Sequence, residues 1–235
     1  MNLEGYKGRV ALITGGAQGI GREIAERMRD LGAQVAVGDL REPAISGCLN
    51  ITLDVTSEDS VRAAIEQVSQ TLGNIDILVL NAGIFIIEPL EETTLSSWER
   101  TISVNLTGAF LVSRSVLPQM RASGYGRVLI IGSSAGITGG SKSMAAYAAS
   151  KAGVMALAKS IASEYASFGV TSNALAPTLI ETGMVKGIAE LASRIPVGRL
   201  GKPADVADLA AFLCSEHAGY ITGAVVDING GFLIH

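Results

Sequence analysis

Short runs of apolar and β-branched residues alternate along this chain with longer stretches whose apolar positions recur every three or four residues. The short runs predict strands at Arg9–Thr14, Gln34–Asp39, Asn50–Asp54, Asp76–Asn81, Gly126–Gly132, Gly169–Leu175 and Ala224–Ile228. The longer stretches predict helices over 19–31, 57–72, 96–122, 146–167 and 203–214. Runs such as Val10-Ala11-Leu12-Ile13 and Ile77-Leu78-Val79-Leu80 are apolar without interruption. That pattern suits strands buried on both faces of a parallel sheet. Strand–helix alternation from end to end predicts one doubly wound α/β domain, residues 1–235, around a seven-stranded parallel sheet. No linker, repeat or low-complexity segment divides it. The Gly/Ser-rich stretch Gly132–Ser143 follows a strand and reads as an active-site loop. Residues 182–198 form an irregular insertion before a helix that Pro203 opens.

Composition narrows the functional classes. Charged residues are 17% of the chain and hydrophobic ones 48%, leaving apolar surface for subunit contacts. A net charge of -4 argues against nucleic acid or an anionic membrane as partner. No apolar run approaches the roughly 18 residues of a membrane span. Met1 to Gly8 lacks a signal-peptide core. Cys48 and Cys214 form no CxxC pair and read as reduced thiols of a cytoplasmic protein. His217 and His235 belong to no ligand cluster, so no metal is expected. Glycine alone is enriched, at 28 of 235 residues, and extra glycine lets backbone pass close to a ligand.

The first strand runs into Thr14-Gly15-Gly16-Ala17-Gln18-Gly19-Ile20-Gly21 and then a helix. Such a turn lets backbone N–H groups and the positive end of a helix dipole face a pyrophosphate, as in Rossmann-type domains. Asp39 ends the second strand, 18 residues past Gly21. A carboxylate there accepts hydrogen bonds from adenosine ribose hydroxyls and repels a 2′-phosphate. NAD is therefore expected rather than NADP, although Arg41 stands two residues on.

Tyr147 and Lys151 are four apart in a helical stretch and share one face. A free phenol has a pKa near 10; a neighbouring ammonium lowers it, so the pair can act as acid and base on a carbonyl or alcohol. Together, Thr14–Gly21, Asn81-Ala82-Gly83, Asn105, Ser133, Tyr147-x-x-x-Lys151, Pro177 with Thr182, and Asp227-Ile228-Asn229-Gly230-Gly231 resemble the short-chain dehydrogenase/reductase family over nearly the whole chain.

The resemblance implies roles. Tyr147 would be the general acid/base, and Lys151 would lower its pKa and bond the nicotinamide ribose. Asn105 would support a proton relay through water. Gly15, Gln18, Gly19, Ile20, Gly21 and Asp39 would hold the dinucleotide, with Asn81, Ala82 and Gly83 along its adenine and ribose side. Asp54 and Val55 would face adenine. Beyond Pro177, the Ile180 backbone and the Thr182 hydroxyl would hold the carboxamide. The family's Ser-x-x-Gly pattern selects Ser133. Ser134, 13 residues before Tyr147, has the usual separation, and one extra residue within 137–146 reconciles the choice of Ser133. Its hydroxyl would steady the developing alkoxide. Leu80, Thr178 and Ser172 depart from the family's usual residues, and none removes a catalytic group.

Two readings come from other classes. Gly132-Ser133-Ser134-Ala135-Gly136 matches the hydrolase pattern Gly-x-Ser-x-Gly, but that motif must turn straight into a helix, and a loop is expected here. A catalytically idle nucleotide-binding protein is the other; the intact Tyr147–Lys151 pair opposes it. Within the family, 3-oxoacyl-carrier reductases carry basic residues where Phe168 and Gly124-Tyr125 stand. The expected substrate is thus a small, mostly apolar ketone or secondary alcohol, met by Ile84-Phe85-Ile86-Ile87, Ile137, Met144 and a lid with Met184, Val185, Ile188 and Leu191. The long helices 96–122 and 146–167 imply, by resemblance, a homotetramer.

Overall fold

The computed structural model describes Leu3, residues 5–182 and residues 189–234. Met184, Val185, Ile188 and His235, singled out above, lie outside the described residues.

Seven parallel strands form one sheet: β1 (Val10–Thr14), β2 (Gln34–Asp39), β3 (Leu49–Thr52), β4 (Ile77–Leu80), β5 (Gly126–Ile131), β6 (Val170–Pro177) and β7 (Val225–Ile228). Their order is β3-β2-β1-β4-β5-β6-β7. The helices are α1 (Gly19–Asp30), α2 (Glu58–Thr71), α3 (Leu95–Ile102), α4 (Gly108–Ser123), α5 (Ala135–Thr138), α6 (Ala145–Tyr165) and α7 (Pro203–Cys214). Alternate residues of each strand serve opposite faces. Leu12, Ala36, Leu78, Val128 and Ala174 meet α2, α4 and α6 in one core layer. Ala11, Val35, Ile77, Leu129 and Leu175 meet α1 and α7 in the other. Both faces are covered, which is why the strands read as unbroken apolar runs. The expected doubly wound, seven-stranded parallel sheet is the fold found.

Three expectations need correction. The helix expected over 96–122 is two helices separated by a π-helical turn, Ser103–Thr107. The third strand begins at Leu49 and stops at Thr52, short of Asp54. A single helical turn, α5, follows Ser134 where a loop was expected; it ends at Gly139, whose φ of 85° lies in the left-handed region that suits glycine.

The chain order reverses between β1 and β4, so their carboxyl ends open a crevice. Thr14 closes its floor: its hydroxyl accepts the N–H groups of Asn81 and Ala82 at 3.1 and 3.2 Å. The Asn81 amide in turn donates to the carbonyls of Thr14 and Gly15 at 3.2 and 2.7 Å. Gly15 must be glycine here, since a Cβ would stand 2.6 Å from Ala82 Cα.

Candidate functional site

The crevice, about 310 Å³, is lined by Gly15, Gln18, Gly19, Ile20, Asp39, Asp54, Val55, Asn81, Ala82, Gly83 and Thr182 among others. Eleven cofactor residues expected from the sequence thus converge, from five separate segments. Gly21 lies just beneath, buried in the first turn of α1. Leu40, Leu53, Thr56 and Val104, which were not singled out, also line the crevice, as does Ile84, which was expected to meet substrate instead. The first three neighbour a named residue in sequence, which was the available signal. Val104 is brought in by the π-helical turn and had none.

The residues present fit a dinucleotide. α1 starts without a side-chain cap and without an acidic residue in its first turn. α2, by contrast, has Ser57 as cap with Glu58 and Asp59 behind it. A 12-residue helix that begins uncapped beside a glycine turn offers free N–H donors and a positive dipole end to an anion. Asp39 reaches over this turn: its carboxylate accepts the Ala17 N–H at 3.0 Å and the Arg41 N–H at 3.4 Å. Arg41 lines the same crevice. Asp54 is pinned by the N–H and hydroxyl of Thr56 at 2.9 and 2.7 Å.

The catalytic candidates gather on the β5 and α6 side. Lys151 is 6% exposed and donates from Nζ to the Ile131 carbonyl at 2.7 Å. Burial disfavours its charge, so its pKa falls from 10.5 to about 8. Tyr147 is also desolvated, and burial pushes its phenol up, opposed by a hydrogen bond with Ser133. That direction is opposite to the one read from the Tyr–Lys spacing. The Lys151 ammonium lies 5.7 Å from the Tyr147 ring centroid and is held toward Ile131, so desolvation outweighs it. Of the two serines, Ser133 is the one whose side chain acts on the phenol, and its hydroxyl also accepts the Ala135 N–H at 3.1 Å. Ser134 instead donates its N–H to the Pro177 carbonyl at 3.2 Å.

Asn105 sits on the π-helical turn and is 2% exposed. Its amide oxygen accepts the Ile84 N–H at 2.8 Å, and its nitrogen donates to the Ile84 carbonyl and the Ser150 hydroxyl, both at 3.0 Å. The side chain is therefore a clamp joining the 81–84 turn to α6. Pro177 ends β6 and is buried. Ile180 faces a second cavity with Thr178, Ile195 and Val197. Thr182 reaches back over Gly19, whose Cβ would lie 3.6 Å from the Thr182 methyl group.

Among the described residues, placement speaks against the hydrolase reading. α5 does supply a helical turn after Ser134, but His217 follows Glu216, which pairs with Arg9 ahead of β1. It therefore stands at the opposite edge of the sheet from Ser134. Among the described residues, no three His, Cys, Asp or Glu side chains group as a metal site. No helix among them is long and apolar enough to cross a membrane.

Residues 15–233 match the family model described as Enoyl-(Acyl carrier protein) reductase. Cis-4-hydroxycyclohexanecarboxylate dehydrogenase of Sinomonas cyclohexanicum is 38% identical over 245 residues, covering 97% of this chain and 98% of its own. A 3-oxoacyl-(acyl-carrier-protein) reductase of Haemophilus influenzae is 38% identical over 241 residues, covering 97% and 99%. Among solved structures, the 3-ketoacyl-(acyl-carrier-protein) reductase from Brucella melitensis complexed with NADH has a TM-score of 0.94 at 33% identity, covering 98% of this chain and 100% of its own. Levodione reductase gives 0.92 at 33% identity, covering 97% and 98%.

Proposed function

The chain belongs to the short-chain dehydrogenase/reductase family of oxidoreductases, and from that premise we propose that it moves a hydride between NAD(H) and a secondary alcohol or ketone. The observation that carries the reading is the convergence of Ser133, Tyr147 and Lys151 beside a crevice that holds Asp39 and an uncapped helix start. Nicotinamide, when bound, supplies the hydride chemistry. The protein supplies the proton and the orientation. Gly15, Gln18, Gly19, Ile20 and Gly21 would bind the pyrophosphate, Asp39 the adenosine ribose, and Asp54 and Val55 the adenine. Asn81, Ala82 and Gly83 would line the path between, with Pro177, Ile180 and Thr182 at its nicotinamide end.

Tyr147 gives its proton to a carbonyl oxygen in reduction and takes one from a hydroxyl in oxidation. Ser133 donates a hydrogen bond to the same oxygen. Burial pushes the phenol's pKa up, and the Ser133 hydroxyl opposes that shift. Oxidation needs the phenolate, and the Lys151 ammonium is the charge that steadies it. Asn105 acts through its clamp on Ile84. A cytoplasmic homotetramer is the assembly and setting that accompany this reading.

Asp39 is what favours NAD. Its carboxylate would face the 2′-phosphate of NADP at close range, and like charges repel. The test is kcat/KM with NADH and NADPH over a panel of ketones, for wild type and Asp39→Ser. We expect a wild-type preference for NADH that falls on the order of 10²-fold in the variant. Wild-type preference for NADPH would overturn the assignment.

A second reading, reduction of a carrier-bound 3-oxoacyl thioester, draws on the relatives that bear that name. Phe168 takes the place of a basic residue, yet the Arg121 guanidinium lies 4.2 Å over its ring and restores a positive charge there. The pair stands ahead of β6, at the edge of the sheet away from Tyr147. A salt-sensitive preference for the carrier thioester over its short analogue would favour this reading.

A further inference from the structure

Phe85, two positions past Gly83, meets the Tyr147 ring from outside its own helix. The two rings pack edge to face, centroids 4.7 Å apart at 68°, the geometry aromatic pairs prefer. The backbone that carries Phe85 is held at both ends. Ile84, before it, is gripped by the two Asn105 hydrogen bonds. Three residues after it, Glu88 donates its N–H to the Ser143 carbonyl at 2.9 Å. Ser143 has φ 66°, uncommon for a residue with a Cβ, and lies just ahead of α6. The ring is thus fixed relative to the phenol by bonds to both neighbouring segments.

What surrounds it is apolar. Ile84-Phe85-Ile86-Ile87 offers no polar side chain before Glu88. Ile87 is 60% exposed, and Ile137, four residues past Ser133, is 37% exposed.

We infer that Phe85 is the specificity-determining wall of the site, admitting ketones and secondary alcohols whose reacting carbon belongs to or adjoins a compact apolar ring, and turning away polyols and sugars. The inference deepens the proposed reaction and rests on it. In this reading a ring of five or six carbons packs on Phe85 while its oxygen takes hydrogen bonds from Tyr147 and Ser133. A sugar in the same pose would set hydroxyls against an aromatic ring, where they lose their hydrogen bonds to water and find none in return. An apolar pocket rejects an added hydroxyl by roughly 10²-fold. The same ring covers one side of the Tyr147 ring. Burial and the Ser133 hydroxyl are what act on that phenol; Lys151 on its own helix is the charge beside it, and Glu88 is the acid of the covering segment.

The test measures kcat/KM for cyclohexanone and for dihydroxyacetone, a triose present largely as the free ketone, at saturating NADH, in wild type, Phe85→Ser and Phe85→Leu. Wild type should prefer the cyclic ketone. Phe85→Ser should lose at least about 10-fold of that preference, while Phe85→Leu, still apolar, should keep most of it. Phe85→Ala serves the same arm if serine lowers stability too far. An unchanged preference in the serine and alanine variants overturns the inference. A second readout needs no turnover: phenolate absorbance is followed on raising pH, with the matching Tyr147→Phe protein as blank. The Tyr147 transition should move to lower pH once Phe85 is truncated, and an unmoved transition counts against the wall. A wild type that reduces no carbonyl defeats the proposed reaction, and the titration then decides the role of Phe85 alone.

Discussion

The two ends of the same sheet are finished in opposite ways. At the amino-terminal edge, charge is matched. Arg9 pairs with Asp76 at 3.1 Å and Glu216 at 3.5 Å, and its guanidinium lies 3.6 Å over the Tyr125 ring. Arg127, 7% exposed, stacks on that ring at 4.4 Å and gives its protons to the carbonyls of Ser215, Gly126 and Gly169. At the carboxyl-terminal edge, a lysine is buried against one carbonyl, a phenol is desolvated, and a helix starts without a cap. At the first edge the guanidinium donors of Arg9 and Arg127 are taken up by the protein itself and hold it together. Donors left over at the other edge are available for chemistry. The contrast teaches that perturbed groups mark the functional end of a doubly wound sheet when they border a crevice open to a ligand, and not when, like Tyr125, they are sealed under other side chains.

The comparison breaks most visibly at Tyr147. Tyr147→Phe should lower kcat by about 10²- to 10⁴-fold, the scale of acid–base catalysis, while NADH binding, followed by fluorescence, stays intact. At the opposite edge, Arg127→Met should do the reverse. Stranding its three carbonyls is expected to destabilise the fold by about 3 kcal/mol, a drop of roughly 6–12 °C in melting temperature, with kcat retained. Near-normal stability there would mean the carbonyls find other donors.

Lys151 sharpens the contrast through pH. Its folded pKa is below its unfolded value, so the buried charge is a penalty below pH 8 or so that is relieved as pH rises toward the unfolded value. Without ligand, the stability of wild type relative to Lys151→Met should therefore rise with pH, by about 2 kcal/mol between pH 8 and 10. Denaturant melts at several pH values read this directly. A falling difference would mean the lysine is not desolvated. The smallest effect belongs to the exposed pair: Glu216→Gln should cost about 0.5 kcal/mol or less, seen only in a careful melt.

Much of this was legible because it rests on local rules. Val10–Thr14 and Ile77–Leu80 read as buried strands, and Asp39 and the glycine turn announced their places by spacing. What escaped was set by distant contacts. Nothing in Ser103–Thr107 signals a π-helical turn, because its partner is Ile84, some twenty residues upstream on another element. The spacing of Tyr147 and Lys151 gave their shared face but not the direction of the phenol's shift, which depends on how much water Phe85 and the core exclude. Arg127 resembled any strand residue until its neighbours around Tyr125 were known.

α1 begins on donors that the protein does not satisfy, so whatever anionic cofactor settles there also adds to the folded state by mass action. At a free concentration a hundredfold above Kd that addition is about 2.7 kcal/mol. A gain of that size lowers the fraction of open, cleavable molecules by two orders of magnitude. Survival against proteases would then follow the dinucleotide supply, making the amount of this protein in a cell a slow record of its redox economy.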